Sequence, residues 1–150
     1  MLTVIPFLWF ESQAEDAARL YTSVFNRSKI AAVHGAPGQV MSVEFELEGQ
    51  KVMALNGNPQ HRFNESFSFF VGCDSQAEID DLWTKLLAGG GQPSQCGWLK
   101  DRFGVSWQIV PKSLGAMLSD PDRAKAGRAI QAMLQMTKLD LPALQRAYEG

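Results

Sequence analysis

The chain has 150 residues, 45% hydrophobic and 20% charged, the size and balance of one globular domain able to bury a core without staples. A net charge of −2 leaves no basic footprint for nucleic acid or for an anionic membrane surface, so neither is expected as a partner. No apolar run reaches a membrane-spanning length, the start lacks the basic region of a signal peptide, and two distant cysteines read as reduced thiols of a cytoplasmic protein.

In chain order, Leu2 to Phe10 is a β-branched and aromatic run that predicts a strand, with Pro6 marking an edge or bulge. Ser12 and Glu15 have the spacing of a capping box, and Ala14, Ala17, Ala18, Tyr21 and Phe25 form a helical stripe that Asn26 would end in a left-handed turn. Lys29 to His34 reads as a strand and Gly35 to Gly38 as a turn. Val40 to Glu48 alternates, with Val43, Phe45 and Leu47 set against Ser42, Glu44 and Glu46. Glu48-Gly49-Gln50 turns into a last strand over Lys51 to Asn56.

After a polar connector to about Ser66 the pattern restarts. Phe67 to Cys73 predicts a strand, and Ser75-Gln76-Ala77-Glu78 repeats Ser12-Gln13-Ala14-Glu15 unchanged. A helix bearing Ile79, Leu82, Trp83, Leu86 and Leu87 runs to Gly89-Gly90-Gly91. Gln92 to Cys96 and Gly97 to Lys100 are strand-like, and Val105 to Val110 closes the second unit. The pattern therefore predicts an α+β fold of two tandem β-α-β-β-β modules, residues 1–58 and 66–111. These are expected to form a curved, barrel-like mixed sheet around a central cavity. Residues 112–150 are a C-terminal helical extension, with Asp120-Pro121-Asp122 and Leu141-Pro142 as helix starts, serving as a cap or an oligomer contact.

This duplication resembles the vicinal oxygen chelate superfamily of glyoxalase I, bleomycin-resistance proteins and extradiol dioxygenases. Pro6-Phe7-Leu8-Trp9-Phe10, Met53-Ala54-Leu55-Asn56-Gly57, Phe63-Asn64-Glu65-Ser66 and the run from Cys96 to Ile109 are similar to its PhnB-like branch, a resemblance that extends over the whole chain, tail included. Members of that branch often carry the name 3-demethylubiquinone-9 3-methyltransferase. That activity is not expected here, because no glycine-rich loop lies between a strand and a helix to hold an adenosyl cofactor.

The resemblance also implies where metal ligands would stand. The last-strand Glu position falls on Gln108 and the second-module His position on Ser68. The two first-module positions fall on Pro6 or Phe7 and on Ala54 or Leu55. An amide, a hydroxyl and two apolar groups are a poor donor set for a divalent cation, so no metal or other cofactor is expected. His34 and His61 lie outside those positions.

The candidate ligand-binding residues are Trp9, Asn56, Asn64, Glu65, Ser68, Trp98 and Gln108. Ser68 and Gln108 would offer hydrogen bonds, and Trp9 and Trp98, with Trp107, Phe67 and Phe69, would stack on a flat molecule or serve as core. Asn56, Asn64 and Glu65 would pin the connector or line the cavity mouth. No catalytic residue stands out, and Cys96 has no histidine near it in sequence. The first-ranked expectation is a metal-free binding module for a small, partly aromatic molecule, working as a homodimer. The second is a metal-dependent lyase, isomerase or dioxygenase using His61 and Glu65, and the third a structural dimer with a vestigial cavity.

Overall fold

A computed structural model describes all residues, 1–150. The chain divides into two compact units, Met1–Phe63 and Asn64–Gly150. The first contains β1 (Phe7–Phe10), α1 (Ala14–Val24), β2 (Lys29–Ala36), β3 (Gln39–Leu47) and β4 (Gln50–Asn56). The second contains β5 (Ser68–Cys73), α2 (Gln76–Leu87), β6 (Gln92–Pro93), β7 (Trp98–Lys100) and β8 (Ser106–Pro111), then α3 (Leu114–Leu118), α4 (Arg123–Leu134) and α5 (Leu141–Glu149). Each unit holds its own open, mixed, four-stranded sheet, ordered β1-β4-β3-β2 and β5-β8-β7-β6. In both, the first strand pairs in parallel with the last, and the other neighbours are antiparallel. This is the repeated β-α-β-β-β plan the sequence predicts.

In the first unit Val43, Phe45 and Leu47 are buried while Ser42, Glu44 and Glu46 are half-buried, as their alternation requires. Leu8 and Ala54 are register partners, as are Val43 and Ala54, and all three are buried. They share the sheet face covered by the α1 stripe of Ala14, Ala17, Ala18 and Tyr21, whose ring meets Phe45. Val24 completes that stripe in place of Phe25.

Three local expectations fail here. The first strand begins at Phe7, not Leu2, because Met53 to Asn56 supply only four rungs and Pro6 contributes only a carbonyl, to Met53 N–H at 3.0 Å. Met1, Leu2 and Val4 are left exposed. Gln13, the residue just before helix α1, supplies no side-chain cap. The Asn56 Oδ1 accepts the Ala14 N–H at 2.8 Å instead, and Glu15 pairs with Arg19. At the other end Phe25 is extended and Asn26 is not left-handed. The β3–β4 turn uses left-handed Glu48 and Gly49 (φ 47° and 85°), the conformation a two-residue hairpin needs.

The second copy of the tetrapeptide does cap its helix: Ser75 Oγ accepts from Glu78 N–H, and Glu78 Oε1 reaches back to accept the N–H of Asp74, one residue before the cap. Helix α2 buries Ile79, Leu82, Trp83 and Leu86. The expected strand over Gln92 to Cys96 shrinks to two residues. Cys96 and Gly97 turn left-handed, and their N–H groups bond Met136 and Thr137 of the tail. A Cβ at Gly97 would meet the Ile109 carbonyl oxygen at 2.8 Å, so only glycine permits this approach.

The tail is part of the second unit's core. Val110, Leu114, Met117, Ala129, Leu139 and Leu144 form one buried cluster. Gln76 at the start of α2 donates to Leu139 O and accepts from Leu141 N–H, and Lys138 pairs with Asp80. Asp122 and Asp140 cap α4 and α5. The sequence reading lacked α3, whose five residues are too few to show a period. No helix is long and apolar enough to cross a membrane.

Candidate functional site

The residues singled out in sequence fall in both units. In the first, Trp9 Nε1 donates to the Asn58 carbonyl at 3.0 Å, and its ring meets His61 edge-on with centroids 5.0 Å apart. Gly57 lies against the indole so closely that a Cβ there would overlap it. Asn56 is tied to the fold at both ends of its amide: besides capping α1 through Oδ1, its Nδ2 donates to the Val40 carbonyl at 2.9 Å. It also borders a hollow of about 360 Å³ with Glu11, Glu15, Asp16 and Gln39.

In the second unit, Asn64 Oδ1 accepts from the N–H and hydroxyl of Ser66, an Asx-type turn that shapes the approach to β5. Glu65 pairs with Lys100 at 2.7 Å, and that ammonium holds its exposed carboxyl below the usual range. Ser68 and Gln108, far apart in sequence, come together: Gln108 Nε2 donates to Ser68 Oγ at 3.0 Å.

Register defines the face on which this pair sits. Across β7, β8 and β5, one rung is Lys100–Ser106–Ser68 and the next but one is Trp98–Gln108–Phe70. Paired residues point to the same side of a sheet and alternate residues share that side, so these six occupy one face. The opposite side carries Leu99, Trp107 and Ile109, all buried. Trp107 stacks with Phe69 at 4.6 Å and donates from Nε1 to Asp101. The Asp101 carboxylate also accepts the N–H groups of Phe103 and Val105, holding the β7–β8 turn and hence the relative positions of Trp98, Lys100, Ser106 and Gln108. Lys100, Ser106 and Phe70 were missed in sequence. The two-residue spacings Trp98/Lys100 and Ser106/Gln108 were the available signal, but they needed the strand register to be read together.

The family's metal plan can be tested on these residues. Ser68 and Gln108 are hydrogen-bonded to each other, and as neutral groups they are weak donors for a divalent cation. In the first unit Ala54 is buried on the helix side, so Phe7 and Leu55 occupy the side facing away from α1, and neither can ligate. No three His, Cys, Asp or Glu side chains are grouped to hold a metal ion. His34 is committed to Glu44 at 2.7 Å. The residues present do not fit the metal that the superfamily implies. Cys73 is buried, which pushes its thiol up to about 11, and Cys96 is half-buried; both are free.

The family model described as 3-demethylubiquinone-9 3-methyltransferase matches residues 2–110. That match ends before the tail, so the likeness expected there is not part of it. A PhnB protein from Bacillus cereus bearing the same methyltransferase name is 32% identical, covers 73% of this chain and 99% of its own, and superposes with a TM-score of 0.65. A Pseudomonas aeruginosa protein (22% identity, 71% and 95% covered, TM-score 0.55) shares the fold. So does the fosfomycin resistance protein FosX of Listeria monocytogenes, complexed with manganese(II) and sulfate (15% identity, 71% and 89% covered, TM-score 0.50). No curated protein matches. The chain belongs to the family described as 3-demethylubiquinone-9 3-methyltransferase, the PhnB-like branch of the vicinal oxygen chelate superfamily.

Proposed function

We propose that this chain is a binding protein for a small, partly aromatic molecule, held without a metal ion on the sheet face that carries Trp98, Ser68 and Gln108. The observation that carries the reading is the Gln108–Ser68 hydrogen bond. The two positions where the superfamily would place a carboxylate and an imidazole hold a neutral pair that can instead donate to and accept from an organic ligand. Half-buried Trp98 and exposed Phe70 on the same face give a flat ligand apolar surface.

Methyl transfer is not part of this proposal. The links from β1 to α1 and from β5 to α2 contain no glycine, so neither helix start offers the close backbone approach that an adenosyl cofactor needs. The metal-enzyme alternative gains no support from its suggested ligands, since His61 packs on Trp9 and Glu65 pairs with Lys100. The proposal includes a homodimer, for which exposed Phe7, Val33 and Met41 supply apolar surface, and a reducing compartment such as the cytoplasm, which suits two free cysteines.

The test is a thermal-shift screen of small aromatic compounds with and without a chelator. Stabilisation that persists in chelator is expected. Stabilisation that occurs only with added divalent metal would overturn the proposal.

A further inference from the structure

We infer that the same sheet face contains an anion subsite, in which Lys100, Ser106 and Ser68 hold a carboxylate group whose flat apolar body lies over Gln108 between Trp98 and Phe70. This rests on the metal-free binding reading above and adds the chemical class of the ligand.

Three features converge on it. Lys100, Ser106 and Ser68 are direct neighbours across three strands, so an ammonium and two hydroxyls line one rung. Ser106 is 1% exposed, and its Oγ is a buried side-chain oxygen with no hydrogen-bond partner. A buried hydroxyl left unsatisfied is unfavourable and marks a place where a ligand atom is wanted. The third feature is the spacing of the aromatic rung. Trp98 and Phe70 flank Gln108 two strands apart, roughly 9–10 Å between backbones, which leaves room for one ring above the amide.

Glu65 then acts as a stand-in for the ligand. Its carboxylate already meets Lys100 at 2.7 Å, yet its side chain is 66% exposed and that of Lys100 is 37% exposed. An ion pair so open to water is held weakly, so an incoming carboxylate can replace it at little cost. The ligand's oxygens take over Lys100 Nζ and accept from Ser106 Oγ. Gln108 Nε2 remains directed at Ser68 Oγ, which frees the Ser68 hydroxyl hydrogen for the ligand. A charge-assisted hydrogen bond to Lys100 sets the preference for an anion over a neutral isostere.

Benzoate and its neutral counterpart benzamide are the probes, titrated into the full chain with backbone and side-chain amide NMR as the readout. Benzoate is expected to shift the Trp98 indole and Gln108 amide signals, with at least tenfold tighter binding than benzamide. Lys100→Met should abolish that preference and Lys100→Arg should restore most of it, Glu65→Gln should tighten benzoate several-fold, and Ser106→Ala should weaken it. Equal binding of the two probes, or benzoate binding unchanged in Lys100→Met, would overturn the anion subsite while leaving the aromatic binding face in place. No shift at Trp98 or Gln108 with either probe would overturn both.

Discussion

Gln108 Nε2 donates to Ser68 Oγ at 3.0 Å across the parallel β5–β8 pair, so the two positions at which the resemblance implies metal ligands are here tied to one another. A neutral, partly exposed hydrogen bond contributes little to folding, about 0.5–1.5 kcal/mol. Gln108→Leu should therefore lower unfolding free energy by no more than about 1.5 kcal/mol in urea, yet remove ligand-induced thermal stabilisation. A large loss of stability with ligand binding intact would make the pair structural.

The repeated Ser-Gln-Ala-Glu has two different fates, and these can be separated by mutation. Ser75→Ala removes the cap on α2 and should cost about 1 kcal/mol. Ser12→Ala should cost less than about 0.5 kcal/mol, because Ser12 caps nothing, whereas Asn56→Ala should cost about 1–2 kcal/mol through the lost α1 cap. Denaturation midpoints of the three variants give the order directly.

Residue by residue, the sequence was legible where a period or a local motif settled the matter. The alternation of Val43, Phe45 and Leu47, the α2 stripe and the Ser75 cap each follow from neighbouring residues. It failed where a distant partner decided. Asn56 displaced Ser12 as the α1 cap, and the tail carbonyls of Met136 and Thr137 drew Cys96 and Gly97 out of a strand. The site divides the same way. Gln108 and Ser68 were found through family positions, while Lys100, Ser106 and Phe70 became visible only through register.

Leu144 tests the standing of the tail. It is fully buried in the cluster with Val110 and Leu139, so Leu144→Ala should destabilise the second unit by about 2–4 kcal/mol. Hydrogen exchange should show the loss at β8 amides as well as in α5. Loss confined to α5 would mean that the tail is an independent appendage.

Burial raises the Cys73 thiol from 9.0 to about 11, with Glu78 and Asp74 adding to the effect. The folded state thus holds this proton more tightly than the unfolded chain. The resulting stabilisation is fully present below pH 9 and is lost as pH rises from 9 to 11, on the order of 2 kcal/mol in all. Urea unfolding at pH 8, 9.5 and 10.5 should show that decline, and Cys73→Ala should flatten it. Thiol titration at pH 8 should label Cys96 well before Cys73.

The most direct test of the central claim is elemental analysis of protein purified without chelator or affinity metal, paired with unfolding before and after chelator treatment. The account predicts well under one zinc, nickel, manganese or iron per chain and an unchanged melting temperature. One metal per chain, with a melting temperature that falls on chelation and returns with metal, would contradict it.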